Sequence, residues 1–294
     1  MFNKIWVSPL SDDLKSLLKK YSIRPTKKLG QSFLTDSQIA RRITEVASIT
    51  EKDDVLEIGG GVGALTKWLA KKARRVFVVE IDKRLVQSLR SVLNEYSNVE
   101  IIEGDALAIE LPVTNKIVSN LPYSVSSEVT FRILKTFKPD LAILMYQREF
   151  AQRLLAEPGS REYSRLTVDF RYLADVEHVM DVPADSFYPI PAVDSTVVRI
   201  APRTAGNWAR DFDVFDWMVR GIYSYPNKQI RKALKIWFRN LDVEKTASDE
   251  LLRRCNEIIT GKERLRTVPQ KTLVEIADKL LSMVDDGLLQ HPGS

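Results

Sequence analysis

The chain has 294 residues, 44% hydrophobic and 28% charged, with 12 glycines, 13 prolines and a formal net charge of +5; this excludes a disordered, collagenous or low-complexity protein and suits one large domain and one small one. No apolar run approaches the roughly 18 residues that span a bilayer, and MFNKIWVSPLSDD at the start lacks the apolar stretch of a signal peptide, so a cytoplasmic protein with no membrane partner is expected. A single cysteine, Cys255, rules out an internal disulfide, and with only His178 and His291 beside it no Cys/His metal site is expected.

In chain order, the first segment is basic: residues 1–36 carry a net +4, with Lys15, Lys19, Lys20, Arg24, Lys27 and Lys28 among their seven cations. From about residue 50, the runs DVLEIGG, RVFVVEID, NVEIIEGD, KIVSNLPY and DLAILMYQ read as strands. Between and after them, helices are predicted over 63–72, 83–95, 124–136 and 147–156. Short apolar runs alternating with helical stretches indicate βαβ units and a mostly parallel sheet. RLTVDFRYLA near 165–174 and STVVRIA near 195–201 read as two further strands, with an antiparallel return at the end of the sheet. APRTAGNW (201–208) reads as a linker, and helices are predicted beyond it over 211–223, 227–239, 247–258 and 269–283. The expected division is therefore an α/β domain over 1–204 and a small all-helical domain over 205–294. Residues 37–198 sum to −3 and residues 199–280 to +6, so two basic ends flank a near-neutral middle, a distribution that fits a polyanion held at the ends.

DVLEIGGGVGALT places four glycines between a strand and a helix, where backbone can approach a ligand that a β-carbon would block. Gly59, Gly61 and Ala64 satisfy the dinucleotide pattern G-x-G-x-x-G/A, while Glu57-x-Gly59-x-Gly61-x-Gly63 satisfies that of S-adenosylmethionine methyltransferases. Glu80, at the end of the next strand, is placed to accept ribose hydroxyls under either pattern. Asp105 ends the third strand on the same rim, where a carboxylate can take an adenine amine or cap the following helix.

The fourth strand ends in Asn120-Leu121-Pro122-Tyr123. Hydride transfer has no use for this set, but methylation of an amine conjugated to an aromatic ring does. The lone pair of such an amine is delocalised and must be turned toward the methyl donor. Asn120 Oδ1 and the Leu121 carbonyl can accept its two N–H bonds, Pro122 stiffens the turn, and Tyr123 can stack on a base taken out of its helix.

With these motifs in this order, the sequence resembles the KsgA-type ribosomal RNA adenine dimethyltransferases over most of its length. Lys28-Leu29-Gly30-Gln31-Ser32-Phe33-Leu34 looks like the family's N-terminal cofactor motif, Glu57 to Gly63 its glycine turn, Val79-Glu80-Ile81-Asp82 its ribose site, Gly104-Asp105-Ala106 its cofactor-adenine site and Asn120 to Tyr123 its catalytic tetrapeptide. Gln147-x-Glu149, Tyr163 to Leu166 and Phe187 to Ser195 resemble its later motifs, with Phe187 the aromatic that would sandwich the target base opposite Tyr123. Ser32 and Gly60 depart from the family's usual Asn and Pro. The resemblance implies a Rossmann-like class I methyltransferase fold and S-adenosyl-L-methionine as cofactor, bound by Gln31, Ser32, Leu34, Gly59, Gly61, Glu80, Ile81, Asp105, Ala106 and Asn120. It also implies a monomer that dimethylates two adjacent adenosines in the 3′-terminal hairpin loop of small-subunit ribosomal RNA, on immature subunits, as a step of ribosome biogenesis.

In the helical domain Lys228, Arg231, Lys232, Lys235 and Arg239 share one helical face and Ile230, Leu234, Trp237 and Phe238 another, as in a helix docked on its domain and turned toward phosphates. Lys27, Lys28, Lys228, Arg231 and Lys235 are the expected RNA contacts. Three rivals remain: the macrolide-resistance sister enzymes that modify large-subunit RNA, a ribosome-assembly or transcription factor that kept the fold without turnover, and a nicotinamide-dependent reductase.

Overall fold

A computed structural model describes residues 12–26, 30–137, 139–206, 208–243 and 245–293. The chain forms two compact units, residues 1–151 with 174–202, and residues 152–173 with 203–294.

The elements, in order, are α1 (Asp12–Lys20), β1 (Phe33–Leu34), α2 (Ser37–Val46), β2 (Asp54–Ile58), α3 (Thr66–Ala70), β3 (Arg75–Glu80), α4 (Lys83–Val92), β4 (Val99–Glu103), β5 (Lys116–Asn120), α5 (Ser126–Arg132), β6 (Leu141–Gln147), α6 (Arg148–Leu155), α7 (Arg165–Leu173), β7 (Ala174–Val182), β8 (Phe187–Tyr188), β9 (Ser195–Pro202), α8 (Phe212–Ile222), α9 (Ile230–Asn240), α10 (Lys245–Arg254) and α11 (Gln270–Asp285).

In the first unit seven strands form one sheet in the order β4-β3-β2-β5-β6-β9-β7. β9 runs antiparallel to both its neighbours and the remaining pairs are parallel, so the expected sheet, mostly parallel with one antiparallel strand, is the one observed. All five residues of β2 are buried, as befits a strand covered on both faces. Strand order reverses beside β2: β3 and β4 lie to one side and β5 and β6 to the other. The carboxyl ends of β2 and β5 are thus the place where an open α/β sheet leaves a crevice. Before residue 50, where the sequence reading has no element, α2 buries Ala40 and Ile43 against the sheet core and is capped by Asp36.

RLTVDFRYLA is helix α7 rather than a strand, and with residues 152–173 it belongs to the helical unit, not to the sheet. Ser164 starts the helix: its backbone N–H donates to Thr167 Oγ1 at 3.1 Å, half of a capping box, and its carbonyl accepts from Val168. Val168 and Tyr172, four residues apart, then fall on one face and join the core of the second unit, where Tyr172 stacks on Phe215 at 4.5 Å between ring centroids. The strand is the next segment, ADVEHVMDV, whose exposed Asp175 and Glu177 mark a sheet edge and hide its pattern in the sequence. The predicted helices of the C-terminal segment form as α8 to α11.

Candidate active site

A cleft of about 1040 Å³, open to solvent, lies at the carboxyl ends of β2, β3, β4 and β5, lined by Gly30 to Leu34, Glu57 to Val62, Glu80, Ile81, Gly104 to Ala106 and Asn120 to Val125. Five separate stretches of sequence converge there, four of them because parallel strands deliver their ends to one rim.

The glycine turn follows β2. Gly59 has φ +81°, its N–H donates to the Val79 carbonyl at 2.8 Å, and a β-carbon on it would stand 3.0 Å from the Pro122 ring. Glycine here lets the turn and the tetrapeptide touch. Gly60, one of the departures noted above, is closed to a side chain by β3, since a β-carbon would come within 2.3 Å of Val78 Cγ1.

Glu80 is 5% exposed, and burial raises its carboxyl above the usual carboxylate range against the pull of backbone hydrogen bonds from Asp82, Gly61 and Ile81. Oε2 accepts from Gly61 N–H and Oε1 from Asp82 N–H, each at 3.0 Å. Three N–H donors against about four lone-pair sites leave the carboxylate acceptor capacity for a ligand hydroxyl. Glu57, quoted in the motif but not among the expected contacts, also lines the cleft. Burial pushes its carboxyl up to about 8, opposed by the 2.6 Å hydrogen bond from Thr66 Oγ1 and reinforced by the charge of Glu80.

Gln31 is held at both ends, its Oε1 accepting from Thr26 N–H at 2.9 Å and its Nε2 donating to Asp82 Oδ2 at 3.2 Å. Ser32, the other departure, lines the cleft and commits its hydroxyl to the Pro189 carbonyl at 2.7 Å. Leu34 and Ala106 line the cleft as buried apolar surface, and Ile81 is a half-exposed apolar platform on it. Asp105 both lines the cleft and accepts from Leu107 N–H through Oδ1, so the capping bond does not take the residue out of the cleft.

Asn120 decides what the cleft can do. Its Nδ2 donates to the Ser32 carbonyl at 3.4 Å, which orients the amide and leaves Oδ1 buried without a partner among the described residues. Buried acceptors are normally satisfied, and one left open in a cleft asks for a donor on the ligand. Leu121 is buried, Pro122 packs on the glycine turn, and the Tyr123 hydroxyl shares a 2.6 Å hydrogen bond with Ser195 Oγ. Burial, opposed by that bond, raises the Tyr123 phenol and keeps it neutral.

Phe187 is corrected by the structure. It is 2% exposed, joins the sheet core and does not line the cleft. The reason is strand parity: β8 pairs with β1 so that Leu34 faces Phe187 and both enter the sheet core, while Phe33 faces Tyr188 and both pack toward α1 and Leu85. Of these aromatics, Phe33 is the one on the cleft. Ser195 closes the Phe187 to Ser195 motif of the sequence but has no role there, because nothing local ties it to a tyrosine 72 residues away.

Lys228 lies in the bend just before α9 rather than on the helix itself and is exposed there; on α9, Arg231, Lys232 and Arg239 are exposed, and Ile230, Leu234, Trp237 and Phe238 are buried, as the two-faced pattern requires. Lys235 is partly withdrawn by an ion pair with Asp249 at 3.0 Å. Lys15, Lys19, Lys20 and Arg24 are exposed on and just after α1; Lys27 and Lys28 lie outside the described residues. Among the described residues no group of His, Cys, Asp and Glu is arranged to hold a metal, and no helix is long and apolar enough to cross a membrane.

The sequence profile of the family described as "Ribosomal RNA adenine dimethylase" matches residues 23–263. The chain belongs to the ribosomal RNA adenine dimethylase family. It is 40% identical over 260 residues to a probable ribosomal RNA small subunit methyltransferase A of Methanopyrus kandleri, covering 88% of this chain and 93% of that one. It is 38% identical over 286 residues to the protein of that name in Pyrococcus abyssi, covering 96% and 98%. Among solved structures it is similar to a dimethyladenosine transferase from Plasmodium falciparum, with a TM-score of 0.74, 28% identity and coverage of 87% and 98%. It is also similar to the 23S ribosomal RNA methyltransferase ErmE, with a TM-score of 0.65, 28% identity and coverage of 84% and 99%. This dimethylase uses S-adenosyl-L-methionine. The cleft suits that cofactor: a turn that only glycine can line at residue 59, a buried carboxylate at Glu80 with lone pairs to spare, and an apolar platform at Ile81.

Proposed function

We propose that this dimethylase modifies two adjacent adenosines in the 3′-terminal hairpin loop of small-subunit ribosomal RNA, as a cytoplasmic monomer acting on immature small subunits. The small-subunit relatives, matched over most of both chains, support that target. The observation that carries the chemistry is the buried, unpartnered Oδ1 of Asn120.

Gly59, Gly61, Glu80, Ile81, Asp105 and Ala106 would hold the cofactor, with Gln31 ordering the segment that closes over it. When bound, S-adenosyl-L-methionine supplies a methyl group on a sulfonium sulfur, and the S–C bond breaks as the N–C bond forms. Asn120 Oδ1 accepts one N–H of the adenine amine and the Leu121 carbonyl the other, which turns the nitrogen lone pair out of ring conjugation. Tyr123 presents its ring face to the base while its hydroxyl stays tied to Ser195, so it stacks and does not act as a base. The methylated amine is acidic enough to release its proton to water. For the second transfer one N–H remains, and one acceptor is enough to orient it.

The test is transfer of labelled methyl to immature small subunits. Wild-type protein should transfer, and Asn120→Ala should lower turnover by about 10²–10³, the range for removing one oriented polar contact from a transition state. No transfer by the wild type would favour a binding-only role, and transfer to large-subunit RNA instead would overturn the proposed target. Phosphate contacts fall to Lys228 and Arg231: their joint replacement by alanine should weaken RNA binding and lower its log–log salt slope by about 1.4–1.8. Lys235→Ala should do less, because Asp249 already neutralises part of that charge.

A further inference from the structure

The segment that presents Asp105 and Ala106 is a single helical turn. The N–H groups of Ala108 and Ile109 donate to the Asp105 carbonyl at 2.9 and 3.0 Å, and Leu107 N–H donates to Asp105 Oδ1 at 2.8 Å. One isolated turn fixes several dihedrals for little hydrogen bonding and does not hold itself. What holds this one comes from α5: Arg132 Nη1 donates to the Ala106 carbonyl and Nη2 donates to the Ile109 carbonyl at 2.6 Å. A guanidinium offers five donors in a planar fork, so one side chain grips two carbonyls of one turn. Arg132 is half-buried and, among the described residues, has no carboxylate partner; its charge is committed to the turn. α5 begins three residues after Tyr123, so the helix leaving the tetrapeptide also clamps the opposite wall of the cleft.

We propose that Arg132 is a positioning residue for the cofactor's purine: it fixes the turn 105–109, so that the free oxygen of Asp105 meets the adenine amine and Ala106 meets the ring. This rests on reading that turn as the adenine subsite. With Oδ1 taken by Leu107, the direction of Oδ2 is set by the orientation of the whole turn, and Arg132 sets that orientation from its carbonyl side.

The test measures equilibrium binding of S-adenosyl-L-homocysteine and of S-inosyl-L-homocysteine, which carries a carbonyl oxygen where adenine has its amine. Wild type should prefer the adenosyl compound, since a carboxylate facing a carbonyl oxygen has nothing to accept. Arg132→Ala should weaken adenosyl binding about tenfold, the scale of hydrogen bonds to a charged group, and bring the preference close to one. Arg132→Lys, with a single donor group, should lie between. General loosening would weaken both ligands equally and leave the preference intact. An Arg132→Ala protein that keeps the wild-type preference, while Asp105→Ala loses it, overturns the proposal alone. If Asp105→Ala also keeps the preference, the adenine-subsite reading fails with it. Should Arg132→Ala not fold, Arg132→Lys and Arg132→Gln report the same ratio.

Discussion

Asp54 and Glu57 stand at the two ends of one buried strand, and their surroundings pull their carboxyls in opposite directions. Asp54 accepts from Arg74 at 2.6 and 2.8 Å and from Arg75 at 2.5 and 3.3 Å, and these bonds, Arg74 first, hold it far below the usual carboxylate range. Beside it, burial of Asp53 is outweighed by hydrogen bonds from Asn115, Thr50 and Lys116, which hold it at about 2. Three residues along, Glu57 accepts from the Thr66 hydroxyl and is pushed up to about 8 by burial. The amino edge of the sheet is stapled by saturated charges, while the carboxyl edge keeps acceptors short of donors. Perturbed groups left with spare capacity gather where a ligand must complete them.

The largest expected effect tests the unsaturated end. Asn120→Ala should abolish most turnover yet leave the melting temperature unchanged or slightly higher, because it removes a buried acceptor that no group among the described residues satisfies. A large loss of stability would mean that Asn120 is a structural residue like Asp54.

Glu57 comes next. A carboxyl whose folded value is raised adds stability that is complete below the unfolded value, near 4.3, and is lost as pH rises toward the folded value of about 8. The cofactor-free protein should therefore lose stability between about pH 5 and pH 8, and Glu57→Gln should flatten that decline in melting curves at pH 5, 6.5 and 8. An unchanged slope would place the sensitivity elsewhere.

At the saturated end the sign reverses. Asp53 and Asp54 have depressed values, so their contribution is present above the unfolded value near 3.9 and is lost as pH falls below it toward about 2. Asp54→Ala should cost about 1–2 kcal/mol by chemical denaturation, a modest figure because Arg74 and Arg75 are solvent-exposed and rehydrate once released. The same variant should blunt the acid decline and leave cofactor affinity alone; altered affinity would show that the two ends of β2 are not independent.

Much of the catalytic unit was legible in the sequence because its signals are short-range. A strand, a glycine turn and a helix announce themselves within a dozen residues, and Asn120 to Tyr123 is one uninterrupted stretch at a strand end. α9 likewise shows its two faces in eleven residues. RLTVDFRYLA misleads because Leu166, Val168, Phe170 and Tyr172 alternate as a strand would, whereas the Ser164–Thr167 hydrogen bond that starts the helix is seen only in the fold.

Sequence alone thus determined the fold class, the order of the motifs and the place of the tetrapeptide at a strand end, since these depend on residues near one another in the chain. The tertiary structure decided that Phe187 faces the core, that residues 152–173 join the helical unit, that Ser195 holds Tyr123, and that Arg132 clamps the Asp105 turn. Each of those outcomes depends on a partner brought close by folding, and local pattern carries no record of which distant group will fill a given hydrogen bond or cover a given face.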